Sequence, residues 1–242
     1  LILLLIPMIC FAGALQEKHR SVIAKKNVAA TGDSCTGALK LSAHFENSDT
    51  ITSGTPAGCN SNADTTWALT GDGVVYSTTQ KSDGSYALYL PSTNEVKNAL
   101  ITTDNVAGEG TITFDLYVAT HSAYAYIFYY AADSNNRVFM QLDSSSGDAS
   151  IQIKNGGDDW NPYLAGSIDV GAGWNSVTIK WSQSSHSGAY AYVAIDTHTA
   201  SDTAYSASWS GNMTSFYIGT PYNAQAHEIY VDNLKVYNEW ID

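Results

Sequence analysis

The chain has 242 residues, 44% of them hydrophobic and 12% aromatic, with 11 basic against 23 acidic groups and a formal net charge of −12. So few Lys and Arg leave nothing to displace counterions from phosphates, which argues against nucleic-acid binding, and the field repels anionic lipid and polyanionic glycans. Three cysteines with no C-x-x-C and no Cys/His ligand spacing argue against a zinc module.

In chain order, the first segment is Leu1 to Leu15 (LILLLIPMICFAGAL), which carries no charge. As a helix it reaches about 22 Å at ~1.5 Å per residue, short of the ~30 Å core of a bilayer. The helix pattern continues to residue 30, where Val22, Ile23 and Val28 are apolar and Lys18, Arg20, Lys25 and Lys26 are charged. An apolar helix too short for a membrane is satisfied by packing against copies of itself. Residues 1–30 are therefore expected to be a retained helix, with Leu1, Leu3, Leu4, Leu5, Ile6, Ile9, Phe11 and Leu15 as the assembly surface. Membrane contact is then confined to this segment before assembly. The alternative is a signal peptide cut at Ala12-Gly13-Ala14.

Charge divides the chain at the same place. The first thirty residues hold four basic groups and Glu17, so the other 212 carry 7 basic against 22 acidic groups, a net of −15. That body, residues 31–242, is long enough for one core. Cys35 and Cys59 flank loops containing Gly and Ser, and the Tyr/Ser/Thr/Asn-rich, Lys-poor composition is extracellular in character. A Cys35–Cys59 disulfide is expected, worth about 3 kcal/mol in the chain-entropy account. Two free thiols are the alternative.

Beyond residue 40 the apolar period is two, broken by turn residues every eight to twelve positions, the pattern of an antiparallel sandwich. Ile112, Phe114, Leu116 and Val118 share a face, as do Val177, Ile179 and Trp181, and Ala191, Val193 and Ile195. Turns are expected at 133–136, 143–148, 155–159 and 184–188. In His227 to Tyr237 the phase slips between Val231 and Leu234, which predicts a bulge at Asp232-Asn233.

Gly173-Trp-Asn-Ser-Val-Thr-Ile-Lys-Trp181, His44-Phe45-Glu46-Asn47, Ser85-Tyr-Ala-Leu-Tyr-Leu90 and Ile229-Tyr-Val-Asp-Asn-Leu-Lys-Val-Tyr237 together resemble the concanavalin A-like/laminin-G-like jelly-roll superfamily over residues 40–240. The resemblance implies a mainly β fold, a two-sheet antiparallel jelly-roll sandwich, here preceded by one N-terminal hydrophobic α-helix. It also implies a face that often binds carbohydrate, sometimes beside calcium. The apolar N-terminus ahead of a β-rich head is loosely similar to type IV pilin-like filament subunits, from which it departs by a shorter run and by Leu5, where those helices carry a glutamate.

Glycosidases of this superfamily carry carboxylates alternating along one strand, because acid and nucleophile must face each other across the scissile bond. The six glutamates, at 17, 46, 95, 109, 228 and 239, form no E-x-D-x-x-E arrangement, and no H-E-x-x-H or G-x-S-x-G is present. The chain is read as no enzyme. Binding is carried instead by aromatics: Tyr124, Tyr126, Phe128 and Tyr130 alternate along one strand, and Trp160 and Tyr163 follow on a loop, a candidate stacking platform for sugars. The competing reading puts the same rings in the core. Asn155, Asp158 and Asp159 crowd a Gly-rich turn with the oxygen donors calcium prefers.

The expected function is an extracellular filament or surface-anchored subunit displaying a lectin-like head for adhesion. Its partners are copies of itself and neutral glycans or a cell surface. The alternatives are a secreted carbohydrate-binding module and a glycan hydrolase of the same fold.

Overall fold

The computed structural model describes residues 38–43, 45, 59–60, 67–92, 96, 98–121, 125–132, 136–142, 149–155, 158–160, 163–164, 173–203, 212–219 and 227–242. The chain divides into two units, residues 1–31 and 32–242. The first unit, with the expected helix and Leu1, Leu3, Leu4, Leu5, Ile6, Ile9, Phe11 and Leu15, lies outside the described residues, as does Cys35.

Seventeen strands and no helix are described: β1 (Leu39–Ala43), β2 (Cys59–Asn60), β3 (Ala68–Thr70), β4 (Val75–Ser77), β5 (Ala87–Leu90), β6 (Asn98–Ala107), β7 (Glu109–His121), β8 (Ala125–Ala131), β9 (Asn136–Leu142), β10 (Ala149–Asn155), β11 (Asp158–Trp160), β12 (Tyr163–Leu164), β13 (Trp174–His186), β14 (Ala189–Ile195), β15 (His198–Asp202), β16 (Asn212–Gly219) and β17 (His227–Tyr237). They form two antiparallel sheets. One runs β15-β14-β13-β7-β17-β1-β2, with β5 also on β17 and β4 on β5; the other runs β11-β10-β9-β8-β16-β6-β3, with β12 on β10. β17 borders β7 along one edge and divides the other, pairing Ile229–Val231 with β5 and Leu234–Tyr237 with β1.

Alternation decides which side chains meet between the sheets. Ile112, Leu116, Val118, Val177, Ile179, Ala191, Val193 and Ile195 are fully buried, with Phe114 and Trp181 nearly so, as the period of two predicts. Val138, Met140, Leu142, Met213, Phe216 and Ile218 meet them from the second sheet. Burying each such side chain contributes ~1.5–3 kcal/mol. The expected turns at 133–136, 143–148, 155–159 and 184–188 overlap the junctions β8–β9, β9–β10, β10–β11 and β13–β14, but Asn136, Asn155, Asp158, Asp159 and residues 184–186 are already in strands. Ser187 (φ 52°) and Gly188 (φ 88°) link β13 to β14, the double positive φ that a two-residue hairpin turn of right-handed twist requires.

Register shifts exchange the faces of β8, β16 and β17. In β16 the shift lies between Met213 and Ser215, and Met213 and Phe216 both reach the core. In β17 the register against β7 shifts between Asp232 and Lys235, and Asn233 takes φ 50°. Ile229 and Val231 are core before it and Leu234 and Val236 after it, as the phase slip predicts. In β8 the register against β9 shifts between Tyr126 and Phe128. Ile127 and Phe128 therefore both enter the core. This corrects the sequence expectation of one uninterrupted alternation through Tyr130: past the bulge, Tyr126 shares its face with Tyr129.

Gly110 lies directly opposite Trp181 on β13, and a Cβ there would fall on the indole, within 2.6 Å of Cη2. Gly110→Ala is expected to destabilise the fold by about 1–3 kcal/mol through overpacking, read as a lower denaturant midpoint at unchanged slope. An unchanged midpoint would show that the indole has room to retreat.

Candidate functional site

Three strands of the nine-stranded sheet carry a tyrosine between two aliphatics: Leu88-Tyr89-Leu90, Leu116-Tyr117-Val118 and Ile229-Tyr230-Val231. The aliphatics are buried between the sheets, so alternation turns each tyrosine to the opposite, outer face. Register then aligns them: Tyr89 is opposite Tyr230, Tyr230 opposite Tyr117, and Tyr117 opposite Trp174. Four rings thus form one row across β5, β17, β7 and β13. Successive centroids are 4.7, 5.8 and 5.9 Å apart, with interplanar angles of 30°, 83° and 57°. Tyr230, in the middle, is 5% exposed and acts as the base of the row. Tyr89, Tyr117 and Trp174 are half-buried.

Glu228 sits beside the row. Its Oε1 accepts the Tyr89 hydroxyl at 3.2 Å and the Tyr230 hydroxyl at 3.5 Å. Burial, reinforced by this carboxylate, raises the Tyr89 phenol, and burial with Tyr89 and Glu228 pushes Tyr230 up to about 12. Both phenols therefore remain protonated donors at neutral pH.

The next row on the same face is acidic. Asp232 of β17 is opposite Asp115 of β7. Asp115 Oδ2 accepts from Ser82 Oγ at 2.6 Å and Asn233 Nδ2 at 2.8 Å. Asp232 Oδ2 accepts from the Ser82 and Asp83 amides at 3.2 and 3.3 Å, and Oδ1 from the Asn233 amide at 2.8 Å. The Ser82–Asp83 turn is thereby clamped over the sheet, burying Asp232 completely and forming a polar wall along the ring row.

Nucleophilic chemistry has one candidate among the described residues, and its wiring is wrong. Ser182 Oγ donates to Glu109 Oε2 at 2.9 Å, and His186 Nε2 lies 3.3 Å from the same oxygen. The carboxylate stands between hydroxyl and imidazole, whereas hydroxyl activation needs the imidazole next to the hydroxyl. Ser182 is also buried, and its oxygen accepts the Ser184 amide at 3.1 Å. The His186 ring is instead stacked on Trp240 at 4.8 Å and 2°.

The rings expected to form the platform separate. Phe128 and Tyr130 are 1% and 0% exposed, Phe128 stacks on Phe216, and the Tyr130 hydroxyl donates to the Met213 carbonyl at 3.1 Å. Both belong to the core, a correction that follows from the β8 bulge. Tyr126 remains part-exposed on the outer face of the second sheet, 5.3 Å from Phe139. Backbone pairing carries its row through Gln141 and Ser150 to Tyr163, while Trp160 is paired with Ile153. Tyr124 lies outside the described residues, and so do the side chains of Trp160, Tyr163, Asn155, Asp158, Asp159 and Cys59. Asn155 and Asp158 are paired across β10 and β11, and Cys59 is paired with Ser42. Among the described residues no group of three His, Cys, Asp or Glu could hold a metal ion, and the expected Cys35–Cys59 disulfide lies outside them.

No family model matches the chain, and no curated protein matches it by sequence. Its fold is nevertheless a known one. The chain is similar to the receptor-binding domain of botulinum neurotoxin C/D mosaic serotype, with a TM-score of 0.60 at 10% identity over 85% of this chain and 49% of that one. The botulinum neurotoxin type G receptor-binding domain gives 0.59 at 13% identity, over 85% and 49%. Domain 4 of AbnA, a GH43 extracellular arabinanase from Geobacillus stearothermophilus, in complex with arabinotriose, gives 0.58 at 16% identity, over 83% and 93%. The chain thus spans about half the length of the toxin domains and nearly all of the arabinanase domain. At these identities the likeness is one of fold: a mainly β, two-sheet antiparallel sandwich.

Burial, opposed by the Ser82, Asp83 and Asn233 donors, holds the Asp232 carboxyl above its ordinary 3.8. In the window above 3.8 the native state therefore keeps a proton that the unfolded chain has lost, and stability falls as pH rises through it. The stability of the native protein minus that of Asp232→Asn should decline from pH 3 upward. A difference that grows with pH would reverse the assignment.

Proposed function

We propose that the sandwich is a non-catalytic, extracellular carbohydrate-binding domain whose platform is the row Tyr89–Tyr230–Tyr117–Trp174. The observation that carries this reading is the in-register alignment of four rings across four strands, a continuous aromatic strip with protonated phenols at one end. The C–H faces of sugars pack on aromatic rings, and phenol and carboxylate groups take the hydroxyls at the ring edges. Successive centroids 4.7 to 5.9 Å apart follow the spacing of neighbouring strands, so the strip runs across the sheet rather than along one strand.

The surroundings narrow the ligand. Glu228, Asp115 and Asp232 flank the row, and the body carries −15, so neutral glycans are favoured over uronate-rich or sulfated polymers at this face. The same fold is found in an arabinanase domain solved with arabinotriose and in a type C botulinum neurotoxin whose cell entry depends on two ganglioside molecules, which supports a saccharide ligand and an extracellular setting here.

The proposal extends to display. The uncharged segment Leu1–Leu15 is the part suited to packing against copies of itself, and weak heads presented in number gain apparent affinity ~10²–10⁴-fold.

Two tests follow. Trp174→Ala should weaken binding to neutral oligosaccharides, arabino-oligosaccharides among them, about tenfold, equivalent to ~1.4 kcal/mol, with little change in melting temperature because the ring is half-exposed. Calorimetric titration reads both partners directly, and an affinity untouched by Trp174→Ala would remove the row from consideration. For display, Leu3→Asp should abolish assemblies visible by negative-stain microscopy while the head keeps its circular dichroism. Assemblies that persist would show that the apolar segment is not their core.

A further inference from the structure

The outer face of the second sheet carries a separate constellation. Tyr126, Tyr129, Phe139 and Tyr217 cluster there, with Tyr129 and Phe139 buried and Tyr126 and Tyr217 part-exposed at the sides. Between them lies Arg137, the one arginine of the acidic body. Its guanidinium carbon is 5.6 Å from the Tyr129 ring centre and 5.2 Å from that of Phe139, and one terminal nitrogen, Nη1, donates to the Tyr129 hydroxyl at 3.2 Å.

Among the described residues this arginine has no anion beside it, although the body holds 22 acids. Its Nε is buried without a hydrogen-bond partner, while the residue as a whole is part-exposed. A guanidinium lodged against two rings, partly removed from water and left unpaired, is costly unless a counter-charge completes it. Backbone register adds to this: Lys154 on β10 is directly opposite Arg137, with Asp159 of β11 beyond it. Two of the seven basic residues of the body thus occupy paired backbone positions.

We propose that this face is a second saccharide subsite, specific for a sugar bearing one carboxylate. The carboxylate takes the Nη1/Nη2 end of Arg137 as a fork, and the sugar ring rests against Tyr126 and Tyr217. The net charge of −15 limits the ligand to a single acidic unit, such as the terminal residue of an otherwise neutral oligosaccharide, because every further anionic unit meets the repulsive field. The site lies on the other sheet from the four-ring row and stands independently of it.

The test is titration of the full chain carrying Tyr89→Ala, Tyr117→Ala and Trp174→Ala together, which strips the part-exposed rings from the first platform, with 3′-sialyllactose, lactose, acetate and inorganic phosphate as probes. Sialyllactose should bind and lactose should not. Arg137→Gln should weaken sialyllactose at least tenfold, and Arg137→Lys, which keeps the charge but not the fork, severalfold. Tyr126→Ala should weaken it severalfold and leave acetate unaffected. Equal binding of lactose, full affinity in folded Arg137→Gln or Arg137→Lys, or displacement by acetate or phosphate at equal concentration would each overturn the proposal, the last by reducing the site to a simple anion hole.

Discussion

A β-strand has two faces, and one inserted residue exchanges them for everything that follows. The sandwich depends on where that exchange is made. In β17 the bulge at Asn233 lets Val231 and Leu234 both reach the core, and so leaves Tyr230 and Asp232 side by side on the outside before the parity turns over. Without it, the inward run would force Lys235 between the sheets or send Val236 out. The ring row and the acidic row are consequences of keeping the first half of β17 in phase with β7 and β5.

The outer surfaces of the two sheets solve different electrostatic problems. On the nine-stranded sheet, carboxylates are saturated by short donors: Ser82, Asn233 and three amides serve Asp115 and Asp232, and two phenols serve Glu228. These acids hold a turn and two rings in place, and desolvation of Asp232 is tolerated because four hydrogen bonds replace water. On the eight-stranded sheet Arg137 lies against Tyr129 and Phe139, donates to the Tyr129 hydroxyl, and has a buried Nε with no hydrogen-bond partner.

Much of this was readable in the chain. The alternation in residues 112–118, 177–181 and 191–195 identifies inward residues correctly because no residue is inserted into any of these runs, and the phase slip in 227–237 locates its bulge because apolar residues mark both sides of it. The β8 bulge escaped notice since every residue from Tyr126 to Tyr130 is apolar or aromatic and any phase looks acceptable. That one shift moved Phe128 and Tyr130 into the core. The four-ring row was invisible for another reason: its members, at 89, 117, 174 and 230, come together only through strand order. The recoverable trace was the tyrosine set between two aliphatics, repeated three times.

β17 has a consequence for how the sheet is made. It is the last strand in chain order, yet it lies between β7 on one side and both β1 and β5 on the other, and it pairs Tyr237 with Leu39 across nearly the whole body. Until it arrives, three strands wait with open edges while the ribosome is still working, and closing so distant a pair carries the loop entropy of everything between. The hairpins β13–β14–β15 and β8–β9–β10 have near neighbours and are free to form early. The four-ring row is complete only with β17 in place, since Tyr89 and Tyr117 meet no common neighbour but Tyr230.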